Sequence, residues 1–537
     1  MKVKKALILL LCIASAAILF IIGKSADIYS LSASTEELGK NLGIYSAVPA
    51  LFAVLLAFLS GNVVVALLAG LVYGQIVISL CSGYTYGEML GKVIEFTAGE
   101  ITGTATETGN AQVLILCALI GGFTGVLKFS GGFEAAASKL AQKINTPRKA
   151  NLIGQMFCML FFFDDYANAL ISGPVLQPVM KKAKVSHERL AYIVDSTAAP
   201  VAGIAVVSSW VAVEISIISK GLQTAGIDVS AFTLFLQSVK YCFYCIFAII
   251  FVFLTSVMGR EYGPMLKFER EQRNCQDDND RTVCEKNTDG KDTIRIVVVF
   301  LSIAVLILYS IINIVVMGGN TIEILINAAL LCSILAIICG CVASLFNIAD
   351  AVDAFLNGAS SMMPTIIVLI LAWSLASVIE KLGTVYYIVG IIANSVPWQL
   401  IPALIFISCC VISFAAGSYG CMFVAMPMAI PIANTIISSG TVPIDERYLL
   451  ICVAAVLCGG IFGDHCSPMT DCNILAAMGS GCKVMNHVKT QLPYTLTVSS
   501  VAILCIFLTT IGANAYAAIA LGTVLLFAVI RIFGEKP

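Results

Sequence analysis

Apolar stretches of about 20 residues recur along the whole chain, and they restrict the fold to one that spans a lipid bilayer. Hydrophobic residues make up 59% of the 537 residues, and charged residues make up only 12%. A soluble domain carries about twice that share of charge. The net charge of −1 gives no argument for nucleic-acid binding. We therefore predict an all-α polytopic membrane protein.

Hydropathy locates the crossings, and loops rich in Lys and Arg indicate which side is cytoplasmic. The crossings are predicted at 6–22, 45–60, 62–81, 110–128, 189–219, 230–258, 294–316, 322–343, 361–380, 448–478, 491–511 and 514–530. Both termini are then cytoplasmic, in a bacterial-type cytoplasmic membrane. The polar loop 82–109 is predicted to lie outside. Segments 131–142 and 346–360 are predicted to be amphipathic helices at the cytoplasmic surface.

Two adjacent carboxylates, Asp164 and Asp165, lie within the apolar stretch FFFDDYANAL (161–170). A charge in hydrocarbon costs on the order of 3 kcal/mol, so such a pair marks a functional site. Basic loops flank 150–180 on both sides, and that segment is too short for two crossings. We predict a helical hairpin that enters from the cytoplasm and turns near Asp164–Asn168. A single tilted crossing is the alternative.

The sequence also repeats itself. The prolines of GPVLQP (173–178) recur in MPMAIP (426–431) at an offset of 253 residues, and Phe162 aligns with Phe414 at an offset of 252. The flanks of the second hairpin, 397–436, contain no Lys or Arg, which places them outside. Hairpins that enter from opposite sides predict two inverted-topology repeats, each with a re-entrant helical hairpin and a broken transmembrane helix.

The predicted repeats divide the chain into five segments. These are 1–44, an N-terminal transmembrane helix and external loop; 45–258, the first inverted repeat; 259–293, a charged cytoplasmic linker that is solvated and partly disordered; 294–512, the second inverted repeat; and 513–537, a C-terminal transmembrane helix.

The span after each hairpin contains proline and glycine that would interrupt a helix. The interruptions lie in VDSTAAPVAG (194–203) and GGIFGDHCSPMTDC (459–472). Carbonyls freed at such breaks, together with half-helix ends, coordinate cations in many transporters. The second break offers hard oxygen ligands and one imidazole, from Asp464, His465, Ser467, Thr470 and Asp471.

Several of these polar residues also have a structural explanation, and the sequence leaves both open. Asp195 could be a helix-terminal acid that pairs with Lys184 or Arg189. His465 could stabilise the broken helix by hydrogen bonding without titrating. Glu214 is expected near the outer end of its span, where it would reach water.

Other chemistry has weak support. The sequence contains no P-loop, Rossmann or HExxH pattern, so neither ATP-driven transport nor zinc chemistry is indicated. Among 20 cysteines, Cys242 and Cys245 form a CxxC inside an apolar span. Without a second pair or a histidine partner, that motif is predicted to pack rather than to bind metal. An intramembrane aspartyl protease would have paired acids but no inverted repeat, so we expect no enzyme and no cofactor.

These motifs resemble the NhaC family of sodium/proton antiporters, within the wider ion-transporter superfamily of inverted-hairpin carriers. GDHCSPMTD (463–471) resembles a family signature, and SFAAGSYG (413–420) is similar to the family segment FATGTSWG. FFFDDYANAL and AYIVDSTAAPVAGIAVVSSW (191–210) are similar to first-half motifs of a subgroup. The resemblance extends from about residue 45 to 489. Tyr419–Gly420 and Cys472–Asn473 depart from the family pattern and leave the partner of the cation open.

The resemblance implies ion- or substrate-binding residues at two hairpin tips and two breaks. They are Asp164, Asp165 and Asn168 at the first tip; Asp195, Ser196 and Thr197 in the first break; Ser413, Gly417 and Ser418 at the second tip; and Asp464, His465, Ser467 and Asp471 in the second break. Na⁺ is expected at Asp164, Asp165, Asp464 and Asp471.

The function that follows is secondary active exchange of Na⁺ for H⁺ across the cytoplasmic membrane by alternating access. The alternative is a Na⁺- or H⁺-coupled carrier of a small organic acid or amino acid. An Arg that clamps a carboxylate would favour the carrier, and none lies in the tips or breaks. Membrane lipid, Na⁺ and H⁺ are the expected partners, and a homodimer is expected by analogy with related carriers.

Overall fold

The computed structural model describes residues 17–19, 22 and 34–537, apart from 61, 85, 142–145, 275–289, 314–320, 385, 388–395, 441, 443–444 and 468–469. Most of the first predicted crossing, 6–22, therefore lies outside the described residues.

The first half of the described chain is a series of helices. They are α1 (Thr35–Leu42), α2 (Ile44–Ser60), α3 (Val63–Cys81), α4 (Tyr86–Thr106), α5 (Thr108–Phe129), α6 (Gly132–Ala141), α7 (Pro147–Cys158), α8 (Asp165–Ala167), α9 (Gly173–Lys182), α10 (His187–Ser196), α11 (Ala199–Ala202), α12 (Ser209–Ala225), α13 (Ala231–Ser238) and α14 (Phe243–Met258).

The second half continues in the same way. Its helices are α15 (Gly263–Asn274), α16 (Asp292–Ile311), α17 (Thr321–Val342), α18 (Ile348–Ser361), α19 (Met363–Lys381), α20 (Ile401–Ser438), α21 (Asp445–Asp464), α22 (Asp471–Gly479), α23 (Val484–Thr510) and α24 (Ala515–Phe533).

Membrane-spanning length is a property of many of these helices. In the part of the chain that the structure describes, nine helices are long and apolar enough to cross a bilayer, and two bent helix pairs bring the number to eleven. Each predicted crossing within the described residues falls on a helix, a bent pair or an interrupted run of helices. The prediction of an all-α polytopic membrane protein is confirmed.

Both predicted hairpins are present. In the first, α7 and α9 pack against each other so closely that a Cβ on Gly154 would lie 2.3 Å from Cε of Met180. In the second, the chain reverses inside α20 at Gly417, where φ is 73° and ψ is 168°. The reversal brings the Cys421 thiol within 3.3 Å of the Cys409 carbonyl oxygen. An unbroken helix would separate residues twelve apart by about 18 Å.

The span after each hairpin is broken, as predicted. The first break begins after Ser196, is divided by the single turn of α11, and ends where Ser208 caps α12. The second break separates Asp464, the last residue of α21, from Asp471, the first residue of α22. The inverted orientation of the two repeats, and the five segment boundaries drawn from it, remain predictions.

The polar segment 82–109, predicted as an external loop, is instead mostly helix α4. Val93 and Thr97, one turn apart, are buried, and Glu100 forms an ion pair of 2.5 Å with Lys381 on α19. Thr104 also lies 2.8 Å from Ser374, oxygen to oxygen. The segment is polar on average, and that average does not reveal the buried residues that recur once per helical turn.

Segment 346–360, predicted as an amphipathic surface helix, is helical in α18. This helix packs directly on α5, a candidate span, through small residues. A Cβ on Gly121 would lie 2.7 Å from the carbonyl oxygen of Gly358, so glycine permits the two backbones to approach. Segment 131–142 is helical as α6 up to Ala141.

The described residues at the start of the linker 259–293 contact the C-terminal segment of the chain. Glu261 and Glu535 exchange backbone hydrogen bonds of 2.9 Å, and Arg270 on α15 forms a 2.6 Å ion pair with Glu535. Arg273 donates to the terminal residue Pro537 over 2.7 Å. The first part of the linker is therefore attached to the C-terminal segment, because its basic residues find acceptors there.

Candidate functional site

The first hairpin tip is connected to the first break through Asn168. This residue begins a five-residue π-helix, Asn168–Ser172, within the tip. Its side-chain amide donates to the carbonyl of Thr197 over 2.9 Å, and its carbonyl oxygen accepts from Ser172 over 2.6 Å. Asn168, Ser172 and Thr197 are all fully buried. The amide therefore satisfies one of the carbonyls that the break removes from helical bonding.

The two adjacent carboxylates of the first tip point to different partners. Asp164 caps α8 by accepting from the backbone N–H of Tyr166 over 3.1 Å, and it accepts from Thr124 over 3.5 Å. Asp165 accepts from the Cys472 thiol over 2.9 Å, and its other oxygen has no hydrogen-bond partner among the described residues. Asp165 thus joins the first tip to the helix that follows the second break.

The second break is organised around Asn473. Its side-chain amide donates to the carbonyls of Asp464 and Ser467, both over 2.7 Å, and to the Thr470 hydroxyl over 3.1 Å. The Asp464 carboxylate accepts a hydrogen bond from Ser418 of the second tip. One amide therefore organises the freed carbonyls of the break, and the carboxylate faces the neighbouring tip.

His465 connects the two breaks. Its Nε2 lies 2.7 Å from the Ser196 hydroxyl, and its Nδ1 lies 2.8 Å from the Tyr244 hydroxyl. Its ring is nearly parallel to that of Tyr192, with centroids 6.3 Å apart. Both ring nitrogens therefore have hydroxyl partners, which agrees with a role in stabilising the broken helix by hydrogen bonding.

Asp195 contacts neither Lys184 nor Arg189, the partners that a helix-terminal acid would have. Its carboxylate instead accepts from Gln491 on α23 and lies 3.4 Å from Nε2 of His487. Gln491 also donates to the carbonyl of His465. Of the two explanations that the sequence leaves open, the local pairing with Lys184 or Arg189 is therefore not formed, and Asp195 lies beside the second break.

The second tip is close to α21. Ser413 donates to the carbonyl of Gly459 over 2.7 Å, and a Cβ on Gly463 would lie 2.5 Å from Cβ of Ser413. Beyond Gly417, Ser418 reaches Asp464, and the ring of Tyr419 lies 4.9 Å from that of Trp210 on α12. The tip therefore contacts both broken spans.

The structure accordingly brings twelve of the thirteen predicted site residues into the regions around the two tips and two breaks. The two halves of the cluster are adjacent, because Cys472 donates to Asp165 of the first tip and the ring of Tyr419 in the second tip packs on Trp210 after the first break. For Asp471, only the backbone at the start of α22 is described, and its side chain lies outside the described residues. The sequence did not identify Asn473, Gln491, His487 or Tyr244 as neighbours.

The groups in this cluster that could coordinate a cation are mainly carboxylate, hydroxyl and carbonyl oxygens. Among the described side chains, no group of three or more His, Cys, Asp and Glu residues has the arrangement of a metal site. Within the residues that the structure describes, no Lys or Arg forms an ion pair with Asp164 or Asp165. Such a cluster can exchange a proton for a weakly held hard cation, which backbone and hydroxyl oxygens would help to coordinate.

A cavity of about 1110 Å³ lies apart from this cluster. It opens between α4, α12 and α19, and its wall includes Ser216, Lys220, Trp373 and Lys381. None of the predicted tip or break residues lines it. The cavity is therefore a separate feature of the molecule.

Comparison with known proteins places this arrangement among transporters. The sequence model of the Na⁺/H⁺ antiporter family matches residues 201–512. A Haemophilus influenzae protein of uncharacterized function is 28% identical over 514 residues, which cover 90% of this chain and 95% of that protein.

Two solved structures share the fold. The YdaH transporter of Alcanivorax borkumensis, described as having an unusual topology, superposes with a TM-score of 0.52 at 13% identity over 80% of this chain and 90% of its own. MtrF of Neisseria gonorrhoeae, which represents a class of antimetabolite efflux pumps, gives a TM-score of 0.50 at 13% identity over 80% and 85%.

Proposed function

The chain belongs to the Na⁺/H⁺ antiporter family, and on that premise we propose that it exchanges Na⁺ for H⁺ across the cytoplasmic membrane by alternating access. It is a multi-pass membrane protein and a secondary transporter. The observation that carries the proposal is the convergence of two hairpin tips and two broken spans on buried carboxylates. Asp165 of the first half accepts from Cys472, which follows the second break, and Asp464 of the second half accepts from Ser418 of the second tip.

The proposed exchange needs no additional cofactor. A buried carboxylate is costly to leave charged without a counter-ion, so it binds either a proton or a cation. Na⁺ at Asp464 would be completed by the Ser418 hydroxyl and by carbonyls of the break. Protonation of the Asp464 carboxylate would release the Na⁺. If the protein reorients only when the site is occupied, exchange follows.

The hydrogen bonds between tips and breaks would couple binding of the ion to movement of the helices. Removal of the Ser418–Asp464 contact would separate the second tip from α21, and removal of the Asp165–Cys472 contact would separate the first tip from α22. We propose Asp164, Asp165, Asp464 and Asp471 as the Na⁺ ligands. Eight further residues would position these ligands: Asn168, Asp195, Ser196, Thr197, Ser413, Gly417, Ser467 and His465.

A coupled carrier of a small organic acid or amino acid is the second candidate, and the cavity favours it. Its volume of about 1110 Å³ is large enough for such a solute. However, Lys381 on its wall is paired with Glu100 and Lys220 is paired with Glu380, so neither lysine is a dedicated carboxylate clamp. The antiporter is therefore the better supported function.

Transport into sealed vesicles separates the two candidates. Purified protein would be reconstituted with a trapped pH dye, a pH gradient imposed, and NaCl, KCl or candidate organic acids added outside. We expect a response to NaCl alone that is lost in Asp464→Asn and kept in Asp353→Asn, a matched change at an exposed site on α18. A response only when an organic acid or amino acid is supplied would overturn the antiporter.

The surroundings of the protein complete the proposal. We propose that both termini are cytoplasmic, that the two repeats have inverted topology, and that the protein is a homodimer surrounded by lipid. The attachment of α15 to the C-terminal segment supports placing the linker and the C-terminus on one side. Impermeant thiol labelling of single cysteines introduced at Asn274 and Lys536, in right-side-out vesicles, would contradict this if it reached either site.

A further inference from the structure

Glu214 is a buried carboxylic acid that the exchange described above does not use. It lies on α12, five residues after the helix begins, and its side chain is fully buried. Neither of its oxygens has a hydrogen-bond partner in the described part of the chain. The expectation that Glu214 reaches water is wrong, because the break preceding α12 places this residue inside the protein.

Among the described residues, the groups around Glu214 include thiols but no Lys or Arg side chain. The ionisable groups that face it are Cys458 on α21, and Cys242 and Cys245 on α14. The Cys245 and Cys458 sulfurs are 3.8 Å apart. A charged carboxylate in such an environment incurs a large desolvation penalty, and no cationic partner among the described residues offsets it. A neutral, protonated carboxyl group avoids that penalty.

Glu214 also lies directly against the first break. A Cβ on Gly203 would be 3.5 Å from Oε1 of Glu214 and 2.4 Å from Cδ1 of Ile461 on α21. The carboxyl group therefore lies beside the backbone of Gly203, the first residue of the non-helical segment 203–208, and the absence of a side chain at Gly203 leaves room for Ile461. Movement of that segment changes what the carboxyl group contacts.

We propose that Glu214 is a second proton-binding site, separate from the tip and break carboxylates, whose proton is carried during transport. The buried, unpartnered carboxyl group binds the proton in the state seen here. Movement of the segment 203–208 then exposes the group to a polar environment, where the proton leaves. The proposal rests on the exchange of Na⁺ for H⁺, because it assigns one of the exchanged protons to this residue.

Two measurements on the full-length protein test it. Infrared difference spectra between acidic and alkaline pH should contain the C=O band of a protonated carboxyl group that is absent in Glu214→Gln. In vesicles, the number of protons exchanged per Na⁺, taken from the Na⁺ gradient that stops net proton movement at a set pH gradient, should fall by one in the same variant.

Controls separate this role from a structural one. Glu214→Asp retains a carboxyl group and should keep both the band and the ratio, and Glu36→Gln, at an exposed site on α1, should match the wild type. An unchanged spectrum in Glu214→Gln, or a lost band with an unchanged ratio, would overturn the proposal. A wild type that shows the band but exchanges no Na⁺ for H⁺ would overturn the proposed function and, with it, the transport of this proton.

Discussion

Both hairpin tips reverse the direction of the chain, but their local structures differ. The first turns through a 3₁₀ segment, the short α8 and a π-helix, and its side chains bond to Thr124, Thr197 and Cys472. The second turns at one residue, Gly417, and its neighbours Ser413 and Ser418 contact α21. The first tip is held by several buried side-chain bonds, whereas the second depends on the conformation of a single glycine.

This contrast suggests that the second tip is the easier of the two to move. A hydroxyl contact such as Ser418–Asp464 can break when a proton or a cation replaces it. The side-chain amide of Asn168 forms hydrogen bonds within the first tip and to the first break, and neither a proton nor a cation competes for these.

The largest effect is expected at Gly417. Its φ of 73° with ψ of 168° is a conformation that is essentially restricted to glycine. Gly417→Ala should cost roughly 1–3 kcal/mol and reduce transport at least ten-fold, although the space around the position is open. Gly226→Ala, at an ordinary left-handed helix end with φ of 65° and ψ of 30°, is the matched control. Equal melting temperatures for the two variants in detergent would contradict the strain at the tip.

Asn168→Ala tests the anchoring of the first tip. It leaves the Thr197 carbonyl and the Ser172 hydroxyl without their amide partner in a fully buried site. We expect a loss of about 1–3 kcal/mol in the free energy of unfolding. Ser413→Ala removes one hydroxyl, which donates to the carbonyls of Gly459 over 2.7 Å and of Cys410 over 3.2 Å, and should cost less. If Ser413→Ala costs as much in a denaturant titration, the two tips are equally anchored.

Ser418→Ala tests whether the second tip senses the ion. It removes the hydroxyl that donates to Asp464. We expect the apparent affinity for Na⁺ to fall about five- to ten-fold, which corresponds to about 1–1.4 kcal/mol. The thermal stability should hardly change. A large drop in melting temperature with unchanged Na⁺ dependence of transport would instead make Ser418 a structural residue.

The smallest effect concerns the other end of the first broken span. Arg189, near the start of α10, forms a buried ion pair of 3.3 Å with Glu261, which also accepts from Tyr494 over 2.5 Å. Burial raises the pKa of Glu261 from 4.5 to about 7, against the opposing attraction of Arg189. Between these two values the folded state binds more protons than the unfolded state, so stability falls as the pH rises.

Glu261→Gln should therefore flatten the dependence of melting temperature on pH between about 5 and 8. Glu36→Gln, at an exposed site, should leave that dependence unchanged. Parallel curves for Glu261→Gln and the wild type would show that this carboxyl group does not titrate in that range.

Sequence reasoning succeeded where composition and local chemistry decide the structure. Two acids in an apolar stretch predicted the first tip, and glycine, proline and hydroxyl residues predicted the breaks. It failed at α4, where an average over the segment concealed one buried face, and at Glu214, whose depth depends on where the preceding break ends. For Asp195 the sequence leaves a local ion pair and a functional role both open, and its partners in the structure, Gln491 and His487, are almost 300 residues away in the chain.

The sequence by itself determined the membrane class, the helical hairpins, the broken spans and most residues around the site, because these follow from hydropathy, backbone freedom and the cost of burying charge. Only the tertiary structure decided which tip contacts which break, that Asn473 and Gln491 satisfy the freed carbonyls, and that Glu214 is buried with no hydrogen-bond partner among the described residues. The physical reason is that these contacts join distant helices, whose packing no local sequence pattern records.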